Sequence, residues 1–242
     1  MDGTLLPKFH KQMPDTTKAA LQKLKETGCK VILCTGRGIS ELEFTDFKFD
    51  GYILLNGQLC LDEKMEAYYV NPIKGADLAE LIRIFEERKI PVVLTEKNRA
   101  YMNFHNDYVF SVSKEISLPP HPIEPYTGND IYMASVYTDG KMSIGNLKTD
   151  RWHEWAFDAY SEGGGKHKGL QEFCRKYRIE TNDVMAFGDA ENDVEMIRKA
   201  GIGVAMGNAY DNVKQAADFV TVNAEDDGIT KALQHFNLIQ MG

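Results

Sequence analysis

Short apolar runs that each end in a polar turn constrain the fold of this chain more than any other feature. The run Val31-Ile32-Leu33 leads into Cys34-Thr35-Gly36-Arg37, and residues 52–55 lead into Asn56-Gly57. Apolar runs of this length, without alternation, are typical of strands buried on both faces of a parallel sheet. The polar residues that follow them would then lie together at the carboxyl edge of that sheet, where such folds bind ligands.

Helical patterns alternate with these runs. Residues 15–27 predict a helix that Asp15 can cap and Gly28 ends, and residues 191–200 predict another after a strand at 184–187. Further strands are expected at 202–206 and 218–222, with a helix at 209–217 between them. This order predicts an α/β fold with a Rossmann-like, doubly wound parallel sheet.

The middle of the chain has a different pattern. One amphipathic helix with Leu78, Leu81 and Phe85 on a single stripe is followed by aromatic-rich segments at 101–110, 131–137 and 152–160. Strand-like segments without long intervening helices favour a mostly antiparallel sheet. We therefore predict an inserted α+β domain at residues 72–162, and a core domain formed by residues 1–71 and 163–242.

Composition limits the function. The net charge of −8 argues against nucleic acid or an anionic membrane as a partner, because both attract clustered Lys and Arg. The four cysteines lack zinc-ligand spacing, and no apolar run is long enough to cross a bilayer. We expect a cytoplasmic protein with reduced thiols, and the sequence carries no signal for an oligomeric state.

Three polar turns could bind a phosphorylated ligand. Thr35-Gly36-Arg37 offers a hydroxyl and backbone N–H groups to phosphate oxygens, although such a turn is often only a turn. The run from Gly163 to Gly169 contains Lys166 and Lys168 and leads into a predicted helix. A lysine at a helix N-terminus opposes the helix dipole, so a bound anion nearby would explain it. A flexible linker is the alternative interpretation.

The acidic turn at Gly188-Asp189 is the most specific of these signals. Asp189 and Asp193 lie four residues apart across a strand-to-helix turn, with Asn192 beside them. Two carboxylates and a substrate phosphate are the ligands that Mg²⁺ prefers. Helix capping by Asp189 is the alternative interpretation.

Taken together with Asp2-Gly3-Thr4 at the start of the chain, these turns resemble the motifs of the haloacid dehalogenase-like phosphatases, in particular the Cof-type branch with a large inserted cap. The resemblance covers nearly the whole chain. It rests on the joint order of Asp-Gly-Thr-Leu-Leu, Thr-Gly-Arg, Asn-Gly, Lys-Gly, Gly-Asp and Asn-Asp, and on the tail Gly-Val-Ala-Met-Gly-Asn-Ala that begins at Gly203.

The resemblance implies a Mg²⁺-dependent phosphatase that hydrolyses small phosphomonoesters, such as sugar phosphates or phosphorylated cofactors, through an aspartyl-phosphate. The implied catalytic residues are Asp2 as acid/base, Thr35 as donor to the phosphoryl group, and Lys168, with Lys166 as the less favoured choice. The implied metal ligands are Asp2 through its carbonyl, Asp189 and Asp193. The residues implied to bind substrate or phosphate are Gly36, Arg37, Asn56, Gly57 and Asn192.

In this family the nucleophilic aspartate stands two residues before the acid/base, which here means immediately before Met1. The family's first strand, central in the sheet, would precede it. We therefore expect a functional form that begins upstream of Met1, because a sheet without its central strand leaves two strand edges unpaired. The alternative is a catalytically silent protein that binds a phosphate ligand. A nucleotide-binding oxidoreductase is disfavoured, because no Gly-x-Gly-x-x-Gly turn follows the first strand.

Overall fold

The computed structural model describes residues 1–7, 10, 12–42, 46–116 and 118–240. Within these ranges the α-helices are, in chain order, α1 (Asp15–Glu26), α2 (Gly75–Glu87), α3 (Asp107–Glu115), α4 (Lys166–Tyr177), α5 (Val194–Lys199), α6 (Asp211–Ala216) and α7 (Gly228–His235). The strands are β1 (Ile32–Cys34), β2 (Gly51–Leu54), β3 (Leu59–Asp62), β4 (Ala67–Val70), β5 (Val92–Thr95), β6 (Ala100–Met102), β7 (Met133–Val136), β8 (Lys148–His153), β9 (Ala156–Tyr160), β10 (Met185–Gly188), β11 (Ile202–Ala205) and β12 (Phe219–Val220).

The chain forms two compact units. The first contains Met1–Gly36, Glu41–Tyr69 and Gly165–Gly242. The second contains Arg37–Ser40 and Val70–Gly164, and the insertion predicted at residues 72–162 lies within it. Each unit has its own hydrophobic core.

The first unit contains the parallel strands that the apolar runs predicted. β1 runs parallel to β2, with Cys34 opposite Ile53, and β10, β11 and β12 are also parallel to one another. The prediction of an α/β fold with parallel strands is therefore confirmed. One difference is the hairpin of β2 and β3, in which Leu54 faces Leu59 and which adds antiparallel strands to the β1 sheet.

The parallel strands of the described residues form two separate sheets, in the orders β1-β2-β3-β4 and β10-β11-β12. The same hydrophobic layers cover both. One buried cluster contains Leu33 of β1 together with Ala205 of β11. The other contains Ile53 of β2 together with Ala186 of β10 and Phe173 of α4. β1 and β10 therefore lie at sheet edges between two shared apolar layers.

α4 brings the glycine- and lysine-rich segment into the first unit. It begins after Gly165, whose φ of 118° is open to glycine but strained for other residues. Leu170, Phe173 and Cys174 form its buried face. Lys166, in its first turn, is buried as well. The segment is thus the start of a packed helix rather than a flexible linker.

The second unit is built on an antiparallel sheet in the order β6-β5-β7-β9-β8, as the sequence indicated. α2 packs on one face through Leu81 and Phe85. The other face is covered in part by α3 through Val109 and Val112. α3 was not predicted: it begins within the aromatic segment 101–110, where the Asn106 side chain accepts a hydrogen bond from the N–H of Val109 and so caps a helix.

Several boundaries in the first unit also differ from the prediction. The helix expected at 191–200 is a short 3₁₀ turn, Glu191–Asp193, followed by α5, and the strand expected at 218–222 pairs only over Phe219–Val220. Among the described residues, no helix combines the length and the apolar character needed to cross a lipid bilayer.

Candidate active site

The first residues of the chain form a tight loop. The carbonyl of Met1 accepts hydrogen bonds from the N–H groups of Leu5 and Leu6, at 2.8 and 2.9 Å, while the N–H of Gly3 donates to the carbonyl of Leu6 at 2.8 Å. Met1 and Leu6 are buried in the core of the first unit, and Asp2 is exposed. The loop therefore anchors its apolar residues and presents the carboxylate of Asp2 to solvent.

This loop packs against the acidic turn that follows β10. The hydroxyl of Thr4 donates to Oδ1 of Asp189 at 2.5 Å. A Cβ on Gly3 would lie 2.1 Å from Oδ2 of Asp189, and Gly3 has a φ of +74°, so only glycine fits there. Asn208 holds the loop from another side by donating from Nδ2 to the carbonyl of Gly3 at 2.8 Å.

Lys166 and Asp193 form a buried ion pair behind this contact. Nζ of Lys166 lies 2.6 Å from Oδ1 of Asp193, and the two side chains are 4% and 5% exposed. Oδ2 of Asp193 accepts hydrogen bonds from the N–H groups of Asp189 and Ala190, at 3.0 and 3.1 Å. Asp193 is therefore the residue that satisfies the turn's N–H groups, the role that the capping alternative gave to Asp189.

The pKa values of buried Lys166, buried Asp193 and partly buried Asp189 shift in different directions because their partners differ. Burial opposes both charges of the pair, but the Lys166–Asp193 attraction outweighs it, so the pKa of Lys166 is raised and that of Asp193 is lowered. Burial raises the pKa of Asp189, although the α-amino group of Met1 and the Thr4 hydroxyl counteract it. Of the two carboxylates in this turn, Asp189 is therefore the one whose negative charge is less compensated.

The turns after β1 and β2 interlock beside the ion pair. Thr35 is buried, its N–H donates to the carbonyl of Ile53, and its own carbonyl accepts from the N–H of Asn56 at 3.2 Å. A Cβ on Gly36 would lie 3.1 Å from Oδ1 of Asn56, so the two turns are in close contact. The polar turns that follow β1, β2 and β10 thus lie next to one another, as the sequence predicted for the carboxyl edge of a parallel sheet.

The site formed by these contacts includes most of the predicted residues, but the contact of Lys168 with Glu172 lies outside it. Lys168 is 39% exposed and has its ammonium 3.8 Å from Glu172, whereas Lys166 contacts Asp193 and Asn192. The geometry therefore favours Lys166, which the sequence pattern ranked second. Arg37 is grouped with the second unit, and its predicted role in phosphate binding stays a prediction.

Two residues of the cluster received no role from the sequence. Thr4 bonds Asp189, and Asn208 bonds the Gly3 carbonyl. Both lie in segments that the sequence had already marked, the Asp-Gly-Thr start and the Gly-Asn-Ala tail. The signal was present, but contacts between residues about two hundred positions apart cannot be deduced from spacing.

The oxygen donors of this cluster suit Mg²⁺. Asp189 offers a poorly compensated carboxylate, beside the loop that carries Asp2. Both oxygens of Asp193 already accept hydrogen bonds. Asp193 is therefore better suited to support the metal ligands than to bind the metal itself. No group of three or more His, Cys, Asp or Glu side chains within the described ranges could hold a metal. The Asp189 carboxylate, one backbone carbonyl and substrate oxygens would together form the kind of oxygen-ligand site that Mg²⁺ occupies in proteins.

Comparison with known proteins assigns the family. A family model described as haloacid dehalogenase-like hydrolase matches residues 1–233. A putative phosphatase of Bacillus subtilis, YkrA, is 28% identical over 250 residues, which covers 99% of this chain and 96% of the relative. The 5-amino-6-(5-phospho-D-ribitylamino)uracil phosphatase YitU of the same organism is 27% identical over 262 residues, with 98% and 95% covered.

Solved structures give the same result. A sugar phosphatase of haloacid dehalogenase subclass IIB superposes with a TM-score of 0.87 at 29% identity, over 99% of this chain and 97% of that one. A phosphatase of the superfamily from Bacteroides thetaiotaomicron also reaches 0.87 at 29% identity, over 99% and 93%. The chain therefore belongs to the haloacid dehalogenase-like hydrolases and, within them, to the Cof-type phosphatases.

Proposed function

We propose that the protein is a Mg²⁺-dependent phosphatase that cleaves small phosphomonoesters through an aspartyl-phosphate. The observation that carries the proposal is the buried Lys166–Asp193 pair beside Asp189, whose charge is only partly compensated. Phosphoryl transfer depends on positioned positive charge around the transferring group, and this cluster is arranged to supply it.

The nucleophile of this proposal is an aspartate immediately before Met1, in a longer form of the protein. Two observations support that position. The positive charge of the Met1 α-amino group counteracts the burial that raises the pKa of Asp189 and helps to lower the pKa of Asp193, so a residue attached there would be near the site. In the described part of the chain, β1 and β10 are edge strands between shared apolar layers, where a preceding strand could pair with both.

The other residues then have distinct roles. Asp2 would protonate the leaving oxygen and afterwards deprotonate the attacking water. Thr35 would donate to a phosphoryl oxygen, and Lys166 would offset the negative charge of the nucleophile and the phosphoryl group. Gly36, Asn56, Gly57 and Asn192 would shape the phosphate pocket, which leaves Lys168 outside it.

Asp189 and the Asp2 carbonyl would hold Mg²⁺, with Asp193 behind them, and the bound ion would supply charge neutralisation to the phosphoryl oxygens. Asp2 is exposed, as a residue that exchanges protons with substrate and water would be. Thr4 would orient the Asp189 carboxylate through its 2.5 Å hydrogen bond.

The substrate class is a small phosphorylated metabolite, either a sugar phosphate or a phosphorylated cofactor. The names of the sugar phosphatase and of YitU support this choice. We propose the second unit as the cap, which in this family selects the substrate, and the cytoplasm as the location, where the four free cysteines would stay reduced.

The test is phosphate release from a panel of sugar phosphates and phosphorylated cofactors by the longer form, with Mg²⁺, with EDTA, and with Ca²⁺ in place of Mg²⁺. We expect turnover only with Mg²⁺. Activity that survives EDTA would contradict the metal assignment. Saturable binding of phosphomonoesters without turnover would favour the phosphate-binding alternative instead.

A further inference from the structure

Asn56 occupies a conformation that needs an explanation. Both Leu55 and Asn56 have a φ of 52°, in the left-handed region that residues other than glycine enter at a cost. Both side chains are fully buried. Two successive strained and buried residues beside the phosphate-binding turn indicate that the position of the Asn56 side chain matters to the site.

The backbone of Asn56 fixes the start of α4. Its carbonyl accepts a hydrogen bond from the N–H of Gly165 at 3.0 Å. The next residue, Gly57, approaches so closely that a Cβ there would lie 2.2 Å from the carbonyl oxygen of Gly165. Because Lys166 follows Gly165 directly, the Asn56 turn sets the point from which the lysine side chain leaves the helix.

The side chain of Asn56 acts on the same lysine by a second route. Oδ1 of Asn56 accepts from Nδ2 of Asn192 at 3.1 Å, and Oδ1 of Asn192 accepts from Nζ of Lys166 at 3.0 Å. An amide has one accepting end and one donating end. With its nitrogen bound to Asn56, Asn192 must turn its oxygen toward the ammonium.

We propose that Asn56 is a positioning residue: it orients the Asn192 amide so that Lys166 is held toward the phosphoryl group, and it is not itself a phosphate ligand. The proposal rests on the proposed function. Its physical basis is that an inverted Asn192 amide would point N–H groups at an ammonium that is already buried, and Lys166 would shift away.

The same contact accounts for the glycine of the Thr35-Gly36 turn. The amide of Asn56 lies against Gly36, with its oxygen, nitrogen and carbon 3.1, 3.4 and 3.5 Å from a Cβ placed there. Gly36 therefore gives room to the amide. The Thr35-Gly36 turn, the Asn192 amide and Lys166 are thus connected through one side chain.

The variant Asn56→Gly separates the two routes. Glycine adopts the left-handed conformation without strain and keeps the carbonyl that binds Gly165, so only the amide is lost. In the longer form we expect kcat to fall by about 10- to 100-fold, as is typical when a residue supporting a catalytic group is removed. The inhibition constant of inorganic phosphate should rise no more than it does in Asn192→Ala, because Asn56 acts through Asn192 and does not itself touch phosphate. The matched control is Asn237→Gly, an exposed left-handed asparagine, which should leave kcat unchanged.

A double-mutant cycle with Asn192→Ala decides the mechanism. If Asn56 acts through Asn192, the double variant is no slower than Asn192→Ala alone. Multiplicative losses, an unchanged kcat in Asn56→Gly, or a phosphate inhibition constant that rises further in Asn56→Gly than in Asn192→Ala would each overturn the proposal while the wild-type enzyme remains active. An inactive wild type would instead overturn the proposed function. The same double-mutant cycle, measured as the urea midpoint of unfolding, tests the Asn56–Asn192 contact without reference to activity. A loss of stability in the double variant that is smaller than the sum of the two single losses supports the contact, and a loss equal to that sum overturns it.

Discussion

Replacing Lys166 and Lys168 separately by methionine tests which lysine belongs to the site. Lys166 is paired at 2.6 Å with Asp193, and both side chains are almost completely buried, so Lys166→Met leaves a buried carboxylate without its partner. Breaking such a pair costs about 3–5 kcal/mol, a large part of the roughly 5–15 kcal/mol by which a domain is stable. Lys168 is 39% exposed and 3.8 Å from Glu172, so Lys168→Met should cost less than about 1 kcal/mol.

The assay is urea unfolding followed by circular dichroism, because Trp152 and Trp155 both lie in the second unit and their fluorescence would report on that unit. Phosphate release is measured in parallel in the longer form. Lys166→Met should be inactive, and Lys168→Met should retain most of the activity. The double variant Lys166→Met/Asp193→Asn should be more stable than Lys166→Met, because the unpaired carboxylate is removed, but it should remain inactive. Equal stability of the two single variants, or loss of activity in Lys168→Met alone, would refute the assignment.

Three further outcomes are expected. Asp2→Asn should lower kcat/KM for alkyl phosphates by about 10²- to 10⁴-fold and kcat/KM for p-nitrophenyl phosphate much less, since kcat/KM reports the step that forms the aspartyl-phosphate and a good leaving group needs no acid there; equal losses in kcat/KM would contradict the acid role. Gly3→Ala should cost more than about 1 kcal/mol of unfolding free energy and weaken Mg²⁺ activation, because its Cβ would displace Asp189; metal titration of activity checks this. Burial raises the pKa of the Cys34 thiol to about 12, so at pH 8 a thiol reagent should label the exposed Cys29 first. The free energy of unfolding should fall as pH rises from about 9 toward 12, because the folded state retains a proton that the unfolded state has lost. Rapid labelling of Cys34, or a free energy of unfolding that is flat over that range, would oppose this.

The sequence predicted the parts of the fold that depend on local pattern. The apolar run at 31–33 and its polar turn became β1 and a buried Thr35, and the order of such runs was enough for a parallel sheet. The segment 101–110 was mistaken for a strand throughout, because its aromatic content obscured the Asn106 cap and the helical spacing of Val109 and Val112. The aromatic composition favours a strand, but the Asn106 cap and the packing of Val109 and Val112 stabilise a helix.

The choice between the lysines shows what the sequence could not supply. Lys168 matched the expected pattern by preceding Gly169, but on a helix two residues differ by about 200° around the axis, so only one of the lysines can face the site. Which one does is decided by where α4 begins, and that depends on Gly165, whose N–H is held by the carbonyl of Asn56, over a hundred residues away. Long-range contacts of this kind have no signature in spacing.

The most direct test of the account compares three proteins in one Mg²⁺-dependent phosphate-release assay: the 242-residue chain, the longer form with aspartate immediately before Met1, and the longer form with asparagine at that position. We predict turnover in the second and at least about a 10³-fold loss in the other two, because a nucleophile that forms the covalent intermediate cannot be replaced by its neighbours. Equal turnover by the 242-residue chain or by the asparagine form would contradict the account.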